Sequence, residues 1–147
     1  MNLPDLTQYG ISDLSLPDLT PHKCALGRGI RCGIIHDERH GYESLHMRFR
    51  VPASVPPAHL QLIAGLLDRG TRRCPSMKEL TIRENELYGC EANWRVMRDL
   101  DSFSLNFYVS FVAPQRVNTD SYEREIWQHI LECIREPFLL DEGFSEE

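Results

Sequence analysis

No stretch of this chain approaches the ~20 consecutive apolar residues that a membrane-spanning helix requires, and Met1 to Pro21 carries acids where a secretory signal carries Lys or Arg. No C-x-x-C is present, and the five cysteines (Cys24, Cys32, Cys74, Cys90, Cys133) are odd in number and irregular in spacing. That excludes the tight ligand pairs of structural zinc modules and the thioredoxin-type redox motif, and it argues against a disulfide framework. There is no G-x-S-x-G, so the nucleophile elbow of the α/β-hydrolases is missing. The glycines at 27, 29 and 33 do not open a helix and so form no phosphate-binding loop. In His36-Asp37-Glu38-Arg39-His40 the Glu stands in the wrong place for H-E-x-x-H. Cys32, His36 and His40 match zinc-ligand spacing only in part, and a solvated turn explains them more simply. These absences lead to an expected membrane-free cytoplasmic protein with reduced thiols and no cofactor or metal. One thiol has an activating context, Cys74 beside Arg72 and Arg73.

What is present is an ordinary globular composition, 41% hydrophobic and 26% charged over 147 residues. That length fits one domain burying roughly 70% of its unfolded surface. The charge, however, is sorted. Residues 1–22 hold three acids and no Lys or Arg; residues 23–83 hold 11 basic residues against 5 acids; residues 84–147 hold 5 basic residues against 14 acids. A chain of net charge −6 therefore has a cationic middle of +6, and a cationic surface suits an anionic partner.

The first 22 residues contain a duplication, Leu3-Pro4-Asp5-Leu6-Thr7 and Leu16-Pro17-Asp18-Leu19-Thr20. The repeat is too short to build a core, so residues 1–22 read as an arm, docking its leucines on its own domain or on a partner. Residues 23–137 read as one α+β domain, and residues 138–147 as an acidic tail.

Within that domain, Cys24 to Ile35 reads as a strand that forms a hairpin with the alternating segment Ser44 to Val51. A helix follows from about Pro57 to Asp68, with Gly70 near its C-cap. Three strands come next: residues 79–83, then 88–96, then 103–111, each alternating apolar and polar side chains. A last helix runs to about Glu136, opened by a capping box of Asp120 and Glu123 and ended by Pro137. The order ββαβββα predicts a two-layer α+β fold, an antiparallel sheet of about five strands with two helices on one face.

Parity then places His46, Arg48 and Arg50 on the open face, with Arg83, with Asn93 and Arg95, and with Asn106 and Tyr108. Arg offers a planar fork for carboxylate or phosphate, Asn a donor and an acceptor, and Tyr an aromatic body with a polar tip. The plainer reading is a set of solvated cross-strand pairs, each worth little. With no catalytic constellation in the chain, the expected function is non-enzymatic binding of another macromolecule, most naturally a protein. The analogy is to compact bacterial or phage inhibitors, immunity proteins, adaptors and chaperones. The acidic last third is a second possible contact surface. The alternative is a small enzyme or ligand-binding domain with a pocket between sheet and helices, built around His46 and Arg48. A nucleic-acid-binding module is a minor third reading, because Tyr108 is the one aromatic with open-face parity.

Overall fold

The computed structural model describes residues 19–138 apart from residues 28, 38 and 101. Residues 1–18 of the duplicated arm and the acidic tail from residue 139 lie outside the described residues. The elements are β1 His22–Gly27, β2 Ile30–Ile34, β3 Tyr42–Val51, α1 Pro57–Leu67, α2 Met77–Glu86, β4 Glu91–Arg98, β5 Phe103–Val112, a 3-10 turn Pro114–Arg116 and α3 Tyr122–Arg135. The fold is α+β with antiparallel sheets, and the chain divides into two compact units at the boundary between His40 and Gly41.

Two expectations about the sheet are corrected. The segment 24–35 is not one strand paired with 44–51. It folds back on itself as the two-stranded sheet β1–β2, because Gly27 (φ 94°) and Gly29 (φ 83°) take up the left-handed conformations that a tight reversal needs. The second sheet has three strands in the order β3-β5-β4. There is thus no single five-stranded sheet, and β3 pairs over its whole length with β5, Tyr42 opposite Val112 and Val51 opposite Phe103.

The other correction concerns residues 79–83, expected as a strand and found inside helix α2. Leu80 and Ile82 do alternate with polar neighbours, but a two-member alternation is weaker than the end signals around it. The Ser76 hydroxyl accepts from the Glu79 backbone N–H at 3.3 Å and donates to the Glu79 carboxylate at 2.8 Å, a capping box at the N-terminus. At the other end the Gly89 N–H reaches back to the Glu84 carbonyl at 3.0 Å, with Tyr88 (φ 59°) and Gly89 (φ 75°) both left-handed. Leu80 and Leu87, seven residues apart, are the positions this segment buries. Helix α3 also starts differently from the expected Asp120–Glu123 box: its N-cap is Ser121, whose side chain makes no capping hydrogen bond.

The core of the second unit lies between one face of the three-stranded sheet and the helices. Phe107, Val109 and Phe111 of β5 are buried with Trp94 of β4, Ala64 of α1, Leu80 of α2 and Tyr122, Ile126, Ile130 and Cys133 of α3. Trp94 tilts against Phe107 at 5.0 Å and stacks on Phe49 at 5.8 Å. Cys74, the thiol with a basic sequence context, is buried in this core. Its backbone N–H donates to the Thr71 hydroxyl at 3.1 Å, and its carbonyl accepts from the Thr71 N–H at 2.9 Å. Gly70 precedes this turn because a Cβ there would collide with the Cys74 carbonyl oxygen; α1 itself ends earlier, with Asp68 as its C-cap.

His129 is also in the core, 1% exposed, with Nε2 3.7 Å from the Cys133 sulfur and Nδ1 without a hydrogen-bond partner. Burial lowers its pKa from 6.5 and pushes the Cys133 thiol up to about 12. An imidazole held neutral in the fold contributes stability that is complete above pH about 6.5 and is lost as pH falls through its lowered folded value, because only the unfolded chain takes up the proton. The variant His129→Leu is therefore expected to show a flatter decline of the urea midpoint between pH 7.5 and 5.5 than wild type. Parallel pH profiles for the two proteins would show that His129 does not carry the effect.

The outer edge of β4 is closed by two carboxylates. Asp68 Oδ1 accepts from the Trp94 N–H at 2.6 Å, and Glu84 Oε1 accepts from the Ala92 N–H at 3.2 Å. Unpaired N–H groups on an edge strand invite another strand, and here side chains from α1 and α2 take them. Burial raises both carboxyl pKa values, opposed by these same backbone hydrogen bonds. A raised folded value means that the contribution is fully present below the unfolded pKa and is lost as pH rises. Asp68→Asn, which keeps the acceptor and removes the charge, is thus expected to match or exceed wild-type stability at pH 7. Asp68→Ala should cost about 1–3 kcal/mol by orphaning the Trp94 N–H. Equal urea midpoints for the two variants would remove the edge-closing role.

Candidate functional site

The face of the three-stranded sheet away from the helices carries four rows that cross all three strands, and a further pair, Tyr42 opposite Val112, beyond them. Ser44 lies opposite Ser110 and Glu91, His46 opposite Tyr108 and Asn93, Arg48 opposite Asn106 and Arg95, and Arg50 opposite Ser104 and Met97. Period-2 alternation in each strand puts these residues together. Seven of the eight sequence-predicted residues (His46, Arg48, Arg50, Asn93, Arg95, Asn106 and Tyr108) share this face. The eighth, Arg83, does not. It sits on α2, where its guanidinium pairs with Glu125 of α3 at 2.9 Å and with Glu86 at 3.3 Å, tying two helices together.

The face is layered by height rather than uniformly wet. β5 is the central strand, and its Ser104 and Asn106 are 0% and 3% exposed beneath the longer side chains of the edge strands. These two organise a polar network. Asn106 Oδ1 accepts from His46 Nε2 at 3.0 Å, a direction that places a proton on Nε2. Asn106 Nδ2 donates to the Ser104 carbonyl at 3.1 Å and to its hydroxyl at 3.0 Å. The Ser104 hydroxyl in turn accepts from Arg48 Nε at 3.3 Å, and Arg48 Nη2 pairs with Asp99 in the β4–β5 turn. The chain His46, Asn106, Ser104, Arg48, Asp99 fixes the rotamers of both exposed ends, and it makes Asn106 a positioning residue rather than a contact residue. Ser104 and Asp99 were not among the sequence-predicted site residues. The parity of β5 already placed Ser104 on this face, whereas the Asp99 contact spans 51 residues and has no local signal.

Above the network stand the exposed groups. Arg50 makes no hydrogen bond or ion pair among the described residues, and Arg95 acts there through a longer-range attraction to Asp68 rather than an ion pair. Tyr108 is 39% exposed and Met97 47%. Asn93 Oδ1 is buried without a hydrogen-bond partner. Two guanidiniums without an ion pair, a fixed imidazole, a phenol and an apolar Met suit recognition of an acidic surface; among the described residues no nucleophile with an adjacent general base stands on this face. Among the described residues no group of three or more His, Cys, Asp or Glu side chains has the geometry to hold a metal ion, and no helix is long and apolar enough to cross a membrane. A depression of about 570 Å³ lies along α3, lined by Arg124, Trp127, Gln128, Leu131, Glu132, Arg135 and Glu136. Its lining comes from α3 alone and includes none of the sheet-face residues.

No protein-family model matches the chain, and no curated protein matches it. A conserved protein from Enterococcus faecalis V583, known from its crystal structure, is similar in fold. Its TM-score is 0.71 at 19% sequence identity, over 86% of this chain and 30% of that one. This chain thus corresponds to under a third of that protein's length, and the likeness is one of fold alone.

Proposed function

We propose that this protein is a non-enzymatic binding module, of the inhibitor, immunity, adaptor or chaperone kind, which holds an acidic surface of another protein on the exposed face of its three-stranded sheet. The observation that carries the reading is the pair Arg50 and Arg95, set in adjacent rows on the two edge strands of one face, without an ion pair, above a hydrogen-bonded layer that fixes their surroundings. Guanidiniums that are not held in internal ion pairs lose less on binding than paired ones, so charge complementarity converts into rate and specificity. Tyr108 and Met97 supply the apolar area that distinguishes interface centres from rims. Nucleic acid is the lesser reading, since Tyr108 and Tyr42 are the two exposed aromatics that this face offers for base stacking and most of the face is polar.

The test is affinity capture from the native host with wild type and with the double variant Arg50→Glu/Arg95→Glu, at low and at physiological salt. Loss of the captured protein in the variant, with the fold intact by circular dichroism, supports the reading. Undiminished capture ends it. A salt-steep gel shift with RNA or DNA would move the assignment to nucleic acid.

A further inference from the structure

We propose that Cys24 and Cys32 form a reversible redox pair that closes a cross-strand disulfide over the β1–β2 hairpin. The two are direct partners in the register, Cys24 opposite Cys32, flanked by His22 opposite Ile34 and Lys23 opposite Gly33. Opposed residues of an antiparallel pair stand about 4.5 or about 5.5 Å apart at Cα, according to the pair type. A disulfide spans Cα separations of roughly 4.4–6.8 Å. The two Cβ vectors leave the same side of the pleat, as a cross-strand disulfide requires. A hydrogen bond with the neighbouring Cys32 thiol raises the Cys24 pKa. Both are free, Cys24 exposed and Cys32 partly so, whereas Cys74, Cys90 and Cys133 are buried. Burial also pushes the Cys90 and Cys133 thiols up to about 12. The five cysteines thus divide into one accessible pair and three core residues. A two-stranded hairpin alone is marginal in water, so a bond across its strands controls how firmly this unit is held.

The oxidant is a small-molecule disulfide of the glutathione type. The Cys32 sulfur, as thiolate, attacks one sulfur of that disulfide; its S–S bond breaks, one small thiolate leaves, and Cys32 carries the other half as a mixed disulfide. The Cys24 sulfur, after giving up its proton, attacks the Cys32 sulfur, forming the Cys24–Cys32 bond and expelling the second small thiolate. Two protein S–H bonds are lost, both protons end on the two released thiols, and the small disulfide takes the two electrons.

The experiment uses the full chain, reduced, desalted and incubated natively with excess oxidised glutathione, then alkylated and mapped by mass spectrometry. The expected product has lost two hydrogens, carries its crosslink between Cys24 and Cys32, and has Cys74, Cys90 and Cys133 alkylated only after unfolding. Cys24→Ser should abolish the crosslink and leave a stable glutathione adduct on Cys32, with the circular dichroism of the chain unchanged. Stable adducts on Cys24 and Cys32 together, without a crosslink, would overturn the proposal. So would a crosslink from either residue to another cysteine or to a second chain.

Discussion

Phe107→Ala is expected to cost about 3–5 kcal/mol of folding free energy, the upper range for truncating one core side chain. Phe107 is 0% exposed at the middle of the central strand. It lies opposite Met47 on one side and Trp94 on the other, and Trp94 leans on its ring at 5.0 Å. Truncation removes the apolar area of a whole ring and leaves a cavity lined by groups that belong to two edge strands and the helices above them. Such a cavity cannot collapse by moving one neighbour. Against a total stability of about 5–15 kcal/mol for a domain of this kind, the loss removes a large share of what holds the second unit folded. The measurement is urea denaturation at pH 7, with Leu62→Ala as the control. Leu62 is on α1 but 65% exposed, and its replacement should stay within about 0.5 kcal/mol. A Phe107→Ala loss below about 1 kcal/mol, at unchanged slope, would mean that the core is not centred on β5.

The second large effect is expected from Arg50→Glu/Arg95→Glu on partner affinity. Each substitution exchanges attraction for repulsion at an acidic partner. Together the two are worth about 3 kcal/mol, or on the order of 100-fold in Kd at low salt. The difference should shrink as ionic strength rises, since the screening length falls to about 8 Å at physiological salt. Arg48 is a poorer target although it sits in the same rows. It holds Asp99 and Ser104, so its reversal would disturb the β4–β5 turn and confuse loss of fold with loss of contact. Arg50 has no such partner. The readout that separates an electrostatic role from a structural one is the pair of slopes of affinity against salt. Wild type and variant differing by a constant factor at all salt concentrations would contradict the charge-complementarity argument.

The parts of the fold legible in the sequence were those with a long periodic signal or a strong stop. β5 alternates over ten residues and was legible almost to its ends, Phe103–Val112. In α3 the apolar spacing of Tyr122, Ile126, Ile130 and Cys133 marks the buried side, and α1 follows from Pro57. Failures came where the local pattern was short. Leu80 and Ile82 offered two members of an alternation, and the Ser76–Glu79 box outweighed them. In residues 24–35 the glycines were legible as special, but the alternation running through them concealed a reversal at Gly27 and Gly29. The misplacement of Arg83 follows from the first of these errors: once residues 77–86 are helical, its parity with the sheet has no meaning.

The sequence by itself determined which side chains share a face within each of β3, β4 and β5, because alternation is a property of the extended backbone and survives any choice of neighbours. It did not determine the strand order. That order, β3-β5-β4, was decided by pairing between segments far apart in the chain, where Tyr42 meets Val112, and local periodicity contains no information about it. Putting β5 in the centre is what buries Ser104 and Asn106 and leaves the arginines of β3 and β4 standing at the edges. A row of polar residues legible one strand at a time thus became, through tertiary pairing, a rigid polar floor beneath exposed cations.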